Sequence, residues 1–166
     1  MSSATEVVLR PGDFEFVEGP VRLRTLLGSC VAITMWHPEH RHGGMCHYML
    51  PTRGPARAGL PPDGRYADEA MDLFLEGVER RWTRLEEYEA KVFGGGEQFG
   101  PGGCRGELGV PARNVDAALR LLDEHNIAVQ ACNVGGSGPR EIAFDVTTGV
   151  VWHRLVDDPD RDEVLV

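Results

Sequence analysis

The sequence has no feature that directs it to a membrane or to an oxidising compartment. Its first residues hold no basic segment followed by an apolar core, and no later apolar run reaches membrane-spanning length. The four cysteines, Cys30, Cys46, Cys104 and Cys132, include no C-x-x-C pair. The sequence therefore predicts a cytoplasmic protein whose thiols stay reduced and are mostly small buried side chains, without a disulfide framework.

Basic residues are also fewer than acidic residues, 17 against 26. The chain of 166 residues has a net charge of −9, which argues against nucleic acid or an anionic membrane as a partner, because both are polyanions. A dense acidic run spans residues 157–163, and we expect residues 157–166 to form a solvated tail. Since no repeat or linker divides the rest, residues 1–156 are predicted to form a single domain.

Alternating apolar residues and turn residues predict a chain rich in strands. In the first half, strands are expected within residues 5–17 around a turn at 11–13, at 21–25, at 30–36, and at 43–50 as the return strand of a hairpin. In the second half, strands are expected at 89–93, at 127–134, and in a hairpin around the turn 147–149.

Two helices interrupt these strands. Apolar residues at steps of three and four predict the first helix over residues 66–81. The second is predicted to begin with Asn114 as its N-cap and to end near Asn126. This order of elements predicts an α+β fold, a layered α/β sandwich with a β-rich core and two main helices, rather than regular βαβ alternation.

Cys30 is the first candidate for chemistry, because it follows a glycine bend in the segment T-L-L-G-S-C-V-A-I-T-M-W. A cysteine is nucleophilic only as a thiolate and needs a base, and His47 on the predicted return strand is the natural one. Gly28 allows a tight bend, so that amides near Gly28 and Ser29 can face an oxyanion. Spacing alone leaves a second interpretation open, in which Cys30 and His47 are ordinary packed side chains.

Two other patterns compete with this site. Possible zinc ligands crowd together at His37, His40, His42, Cys46 and His47, but their spacing is not that of a standard structural zinc site, so no metal is predicted. The glycine-dense residues 94–109 follow a strand, as a phosphate-binding loop does, yet they lack the G-K-[ST] ending. We interpret them as a surface segment bordering a site, and no cofactor is predicted.

Two motifs in combination, T-L-L-G-S-C-V-A-I and G-G-M-C-H-Y-M-L-P, resemble the signature of the CheD family, the chemoreceptor glutamine deamidases of bacterial chemotaxis. Shorter similarities follow at R-Y-A-D-E-A-M, A-K-V-F-G-G-G and A-R-N-V, and at the glycine pair starting at Gly135. The resemblance covers about residues 20–150. It implies a fold similar to the catalytic domain of the cytotoxic necrotizing factor toxins.

The resemblance also implies a set of roles. Cys30 matches the nucleophile and His47 the general base, while Thr25 is the nearest match to the threonine that orients the histidine. Arg24 or backbone atoms are alternatives for that third role. The implied substrate is a glutamine on the cytoplasmic helices of a methyl-accepting chemoreceptor, hydrolysed to glutamate through a Cys30 thioester, and receptor methyl esters are chemically near-equivalent substrates.

The same resemblance leaves a second function open. Proteins of this family also bind the phosphatase CheC, so the alternative is a non-catalytic adaptor that binds receptors and CheC.

Overall fold

The computed structural model describes residues 3–97, 109–158 and 164–166. The strands are β1 (Thr5–Val8), β2 (Phe14–Glu18), β3 (Val21–Leu27), β4 (Val31–His37), β5 (His42–Cys46), β6 (Glu89–Gly94), β7 (Ala128–Val134), β8 (Arg140–Asp145), β9 (Val151–Leu155) and β10 (Val164–Leu165). The helices are α1 (Ala67–Arg80) and α2 (Val110–Glu124), and short 3₁₀ turns lie at Gly54–Arg57 and Leu85–Glu87. The predicted α+β class is confirmed.

The strands form two five-stranded sheets. The first has the order β1-β3-β8-β9-β10 and the second the order β2-β5-β4-β6-β7. The predicted hairpins β4–β5 and β8–β9 are confirmed as antiparallel pairs. Although β3 and β4 are consecutive, they belong to different sheets, so residues 28–30 carry the chain from one sheet to the other.

The hydrophobic core has two parts. The part between the sheets includes Leu23, Phe93 and Phe144, and the part between the second sheet and the helices includes Ile33 and Phe74. The layers therefore follow the order helices, second sheet, first sheet, and a side chain between the sheets is enclosed from both sides. The similarity to the cytotoxic necrotizing factor domain stays a prediction.

The first helix begins and ends within one residue of the predicted bounds. The predicted start of the second helix at Asn114 is wrong, because α2 begins at Val110 with Gly109 as its N-cap. Pro111 fits this first turn, where the amide N–H that proline lacks would have no helical partner. Asn114 lies inside the helix and is completely buried.

The last residues return to the first sheet instead of forming part of a solvated tail. β10 pairs antiparallel with β9, and Val166 exchanges backbone hydrogen bonds of 2.8 and 3.0 Å with Val151. Residues 159–163, which hold most of the predicted tail's charge, lie outside the described residues. Within the described ranges, neither helix is long and apolar enough to cross a membrane.

Candidate active site

Cys30 lies where the chain crosses between the sheets. β3 ends in the first sheet at Leu27, and β4 begins in the second sheet at Val31. The residues between them form a bend, as the sequence predicts. The thiol is half-buried, so it is shielded by the core and still accessible.

The register of the β4–β5 pair places Cys30 and His47 on one face. Val31 and Tyr48 are directly opposite and exchange backbone hydrogen bonds of 3.2 and 3.0 Å. In that register His47 lies opposite Ala32, two residues along the strand from Cys30. Alternate residues share a face, so Cys30 and His47 are diagonal neighbours on the face that meets the first sheet.

Thr25 reaches this pair from the first sheet. Its Oγ1 lies 2.6 Å from Nδ1 of His47 and donates a hydrogen bond of 2.8 Å to the carbonyl oxygen of Leu9. A hydroxyl has a single proton, and because Thr25 gives its proton to Leu9, Nδ1 of His47 is the donor to Thr25. The proton-free nitrogen of His47 is therefore Nε2, which is buried and has no hydrogen-bond partner among the described residues.

Burial sets the charge of both groups. It lowers the pKa of His47 to about 4. It also raises the pKa of the Cys30 thiol, although a hydrogen bond with the Ser29 side chain acts in the opposite direction. At neutral pH the resting site therefore holds a neutral thiol and a neutral imidazole, an arrangement suited to proton transfer during the reaction rather than to a stored thiolate.

The carbonyl groups around Cys30 are held by neighbouring segments. The amide of Gly96 donates to the carbonyl of Gly28 at 3.0 Å, the amide of Gly95 donates to the carbonyl of Cys30 at 2.9 Å, and the side chain of Asn114 donates to the carbonyl of Ser29 at 3.2 Å. In a trans peptide the N–H points away from the adjoining carbonyl. The amides of Ser29 and Cys30 therefore point away from these contacts.

These two amides are the candidates for an oxyanion hole. Within the described part of the chain, the N–H groups of Ser29 and Cys30 donate no backbone hydrogen bond. Fixed donors beside a nucleophile stabilise the negative charge that develops on a carbonyl oxygen. The bend can thus supply both the thiol and the donors, as the sequence predicts for Gly28 and Ser29.

Two glycines at the end of β6, besides Gly28 in the bend, have conformations on which the site depends. Left-handed φ values of 111° and 65° fall on Gly94 and Gly95, and not on Gly28. A Cβ at Gly94 would overlap the carbonyl oxygen of Cys30. The sequence did not predict that the segment after β6 and Asn114 both contact the bend before β4. The G-G-G run at the end of β6 and the A-R-N-V motif containing Asn114 were the sequence signals of these contacts.

The other cysteines are less suited to the role of nucleophile. Cys46 is completely buried, which raises the pKa of its thiol to about 12, and it packs on the helix side of the second sheet. Cys132 is exposed on β7, at the edge of the second sheet. Cys104 lies outside the described residues, as do residues 98–108 of the predicted border segment 94–109.

Arg24, the alternative to Thr25, points away from the site. Its guanidinium pairs with Glu6 and Glu141 on the uncovered face of the first sheet. Only Thr25 of these two residues contacts His47.

The fold divides the residues that the sequence offers as possible zinc ligands. His37, His40 and His42 cluster at the far end of β4 from Cys30, and the ring centroids of His37 and His40 are 4.5 Å apart. Among the residues that the structure describes, no cluster of histidine, cysteine and acidic side chains has the geometry to hold a metal ion.

Comparisons with known proteins give one family. A family model described as CheD chemotactic sensory transduction matches residues 49–155. A probable chemoreceptor glutamine deamidase CheD of Pseudomonas savastanoi pv. phaseolicola is 49% identical over 160 residues, which cover 95% of this chain and 89% of its own. The probable chemoreceptor glutamine deamidase CheD 3 of Dechloromonas aromatica is 50% identical over 163 residues, covering 97% and 94%.

A more distant match comes from Maridesulfovibrio salexigens. Its probable chemoreceptor glutamine deamidase CheD is 36% identical over 161 residues, covering 94% of this chain and 95% of its own. The family-model match begins after His47 and does not include Thr25, Cys30 or His47.

Proposed function

The chain belongs to the CheD family, and on that premise we propose that it is a protein-glutamine deamidase that converts glutamine side chains of chemoreceptors to glutamate. Relatives at 49% and 50% identity carry this activity in their names. The observation that carries the proposal is a half-buried Cys30 that is the diagonal neighbour of a histidine whose Nδ1 is bonded to Thr25 and whose Nε2 has no hydrogen-bond partner among the described residues.

The first half-reaction forms a thioester. Nε2 of His47 accepts the proton of the Cys30 thiol, and the sulfur attacks the carboxamide carbon of the glutamine. The amides of Ser29 and Cys30 stabilise the oxyanion of the tetrahedral intermediate. When the intermediate collapses, the carbon–nitrogen bond breaks, and the nitrogen takes the proton from His47 and leaves as ammonia.

The second half-reaction releases glutamate. Nε2 of His47 accepts a proton from water, and the hydroxide attacks the thioester carbon. The carbon–sulfur bond then breaks, and the sulfur regains its proton from His47. The sum consumes glutamine and water and gives glutamate and ammonium, because ammonia takes up the proton that the new carboxylic acid releases. The protein returns to its starting state. Thr25 keeps Nε2 of His47 as the proton-accepting nitrogen throughout.

The substrate is a glutamine on the cytoplasmic helices of a receptor, which places the reaction in the cytoplasm. Such a glutamine projects from a folded surface, so the site must admit a side chain without enclosing the whole substrate. We expect residues 94–97 to border the entrance, because Gly95 donates its amide to the carbonyl of Cys30.

The test is conversion of a receptor fragment, followed by mass spectrometry of its glutamine-containing peptides. The protein is expected to convert specific glutamines to glutamate, and Cys30→Ala is expected to abolish the conversion. Cys132→Ala is the matched control, because it removes an exposed thiol far from His47 in the chain and is expected to retain full activity. Equal conversion by the protein and by Cys30→Ala would exclude Cys30 as the nucleophile.

Two related properties are tested with the same reagents. A thioester also forms from an ester, so a receptor peptide carrying a glutamate methyl ester is expected to release methanol only when Cys30 is present. Binding of CheC is a separate proposal, tested by co-purification of the two proteins. If the receptor fragment and CheC bind but no glutamine is converted, the protein is an adaptor.

A further inference from the structure

A buried asparagine joins the two segments that carry the candidate nucleophile and base. Asn114 lies in the second turn of α2 and has no exposed surface. Its Nδ2 donates hydrogen bonds to the carbonyl oxygen of Ser29 at 3.2 Å and to that of Met49 at 2.8 Å. Since only the amide nitrogen can donate to two carbonyls, these contacts fix the orientation of the side chain.

Asn114 occupies the point where the β4–β5 ladder opens. Beyond the pair formed by Val31 and Tyr48, the amides of Met49 and Leu50 donate to the carbonyl of Arg65 instead of continuing along Ser29. The chain before Cys30 and the chain after His47 therefore separate, and the carboxamide of Asn114 bridges them.

Burying a polar side chain at this position costs free energy, which hydrogen bonds must offset. Asparagine is an unfavourable residue inside a helix, and burying its carboxamide costs free energy unless its groups are hydrogen-bonded. Nδ2 donates both of its protons to the segments before Cys30 and after His47, and none to its own helix. Within the described residues, Oδ1 of Asn114 has no partner. The side chain thus stabilises the bend before Cys30, although asparagine lowers the stability of α2 itself.

The contact with Ser29 determines where the amide of Cys30 points. The carbonyl of Ser29 and the N–H of Cys30 belong to one planar trans peptide and point in opposite directions. A donor that holds the carbonyl on the side of α2 therefore directs the N–H away from α2. The amide of Gly96 acts in the same way on the preceding peptide, because it holds the carbonyl of Gly28.

We propose that Asn114 is a positioning residue that orients the Cys30 amide to stabilise the oxyanion. The inference rests on the proposed deamidation for its consequence in catalysis, but the orientation of the amide is independent of turnover. Asn114 acts through the peptide of Ser29 and Cys30, and its contact with Met49 holds it in place while it does so.

The test compares two reactions of the same thiol in Asn114→Ala. Deamidation passes through an oxyanion, whereas alkylation by iodoacetamide is a displacement at a saturated carbon and forms none. We expect kcat for deamidation to fall about tenfold to a hundredfold, somewhat less than the loss of a whole oxyanion donor, with KM unchanged. The rate of Cys30 alkylation is expected to stay within about twofold.

Leu122→Ala is the matched control for stability. Leu122 is a fully buried residue of the same helix, and its truncation weakens the contact of α2 with the core without touching Ser29 or Met49. Its thermal midpoint is expected to fall, while kcat of the folded protein stays unchanged. An equal fall of kcat and alkylation rate in Asn114→Ala, or no fall in kcat, would overturn the proposal.

Two further measurements keep the proposal testable. If Asn114→Ala does not fold, Asn114→Ser retains one donor on a smaller side chain and is expected to show a smaller fall in kcat. If the unaltered protein does not deamidate receptors, the proposed function fails, and the amide resonance of Cys30 in ¹⁵N-labelled protein becomes the readout. That resonance is expected to move in the Asn114 variant and not in Leu122→Ala, and an unmoved resonance would refute the orientation.

Discussion

Thr25 links the tautomer of His47 to the packing of the two sheets. The threonine belongs to β3 in the first sheet, whereas His47 follows β5 in the second. Their hydrogen bond of 2.6 Å is therefore made across the sandwich and is buried on both sides. The nitrogen of His47 that carries no proton is thus selected by the packing of the sheets as well as by the neighbours of His47 in sequence.

The low pKa of His47 predicts an unusual pH dependence of activity. The imidazole must be neutral to accept a proton, and burial lowers its pKa from the ordinary 6.5 to about 4. We expect kcat/KM for deamidation to stay level as the pH falls through 6.5 and to decline only as it approaches 4. Initial rates measured in buffers of constant ionic strength give this profile. A decline centred near 6.5 would contradict the buried, uncharged histidine.

Alkylation separates this effect from titration of the thiol. Burial raises the pKa of Cys30 above the ordinary value of 9.0, so iodoacetamide is expected to label it slowly at neutral pH and faster only above that value. A rate of labelling that is already maximal at neutral pH would instead indicate a stored thiolate, and the acid decline would then belong to the cysteine.

The sequence predicts which side chains meet at the candidate site better than it predicts the residues that support them. Cys30 and His47 are visible because few side chains can act as nucleophile and base, and a short hairpin brings them together. Gly95 and Asn114 donate hydrogen bonds to the same bend from segments more than sixty residues further along the chain. Such contacts depend on the tertiary fold, and one sequence has no periodicity or local spacing that predicts them.

At the scale of elements, the end of α1 carries a residue that its geometry disfavours. Trp82 has a left-handed φ of 55° and is 96% exposed. Its amide donates to the carbonyl of Glu79 at 3.1 Å, and the amide of Thr83 donates to that of Val78 at 3.4 Å. This is the Schellman arrangement, in which the residue at the position of Trp82 is usually glycine.

Replacing Trp82 by glycine is expected to stabilise the protein. Glycine removes the steric cost of the left-handed conformation, and so little of the indole is buried that almost no packing is lost. We expect the free energy of unfolding to rise by about 1 kcal/mol, measured by urea denaturation. A decrease would mean that the indole makes a contact worth more than the strain of its backbone.

Asn126 provides the matched control at the end of α2. It has the same φ of 55°, and its amide and that of Ile127 donate to the carbonyls of Asp123 and Leu122 at 3.0 and 2.9 Å. Asparagine tolerates the left-handed region, so Asn126→Gly is expected to change stability by only a few tenths of a kcal/mol. The difference between the two variants then measures the cost of the tryptophan.

The two helices also differ in how well their sequences predict them. The apolar stripe of α1 is continuous, and its predicted bounds are correct within one residue. In α2, a good N-cap residue at Asn114 gave the wrong start, because the carboxamide bonds to the carbonyls of Ser29 and Met49 instead of to its own helix. A capping pattern predicts a helix end only when the capping side chain is not hydrogen-bonded to another part of the fold.

At the scale of the whole molecule, the two groups of histidines lie at opposite ends of β4. His47 lies near its start, and His37, His40 and His42 lie at its end, about 20 Å away at the rise of a strand. His42 is buried and bonds through Nε2 to the hydroxyl of Tyr88 at 2.6 Å. Acid can therefore affect the stability of the far end and the chemistry of the site separately.

The turn that carries His37, His40 and His42 is expected to make the fold sensitive to acid. Burial, followed by repulsion from Arg81, His37 and His40, lowers the pKa of His42 to about 4. Because this folded-state pKa lies below the ordinary 6.5, folding favours the neutral ring, and the contribution of His42 to stability is complete above pH 6.5 and is lost as the pH falls towards 4. Tyr88 bonds to the ring, and the carboxylate of Glu87 faces the neighbouring His37 at 3.6 Å.

His42→Gln isolates this contribution, because glutamine can bond to Tyr88 but does not titrate. Protonation of other buried histidines, His47 among them, destabilises the fold in the same pH range. The informative quantity is therefore the difference in free energy of unfolding between His42→Gln and the unaltered protein. Between pH 7 and pH 5, measured by urea unfolding, the variant is expected to lose roughly 1 kcal/mol less stability than the unaltered protein. Equal losses in His42→Gln and in the unaltered protein would show that the turn does not resist protonation, and the acid sensitivity would then have to arise at the His47 end of the sandwich.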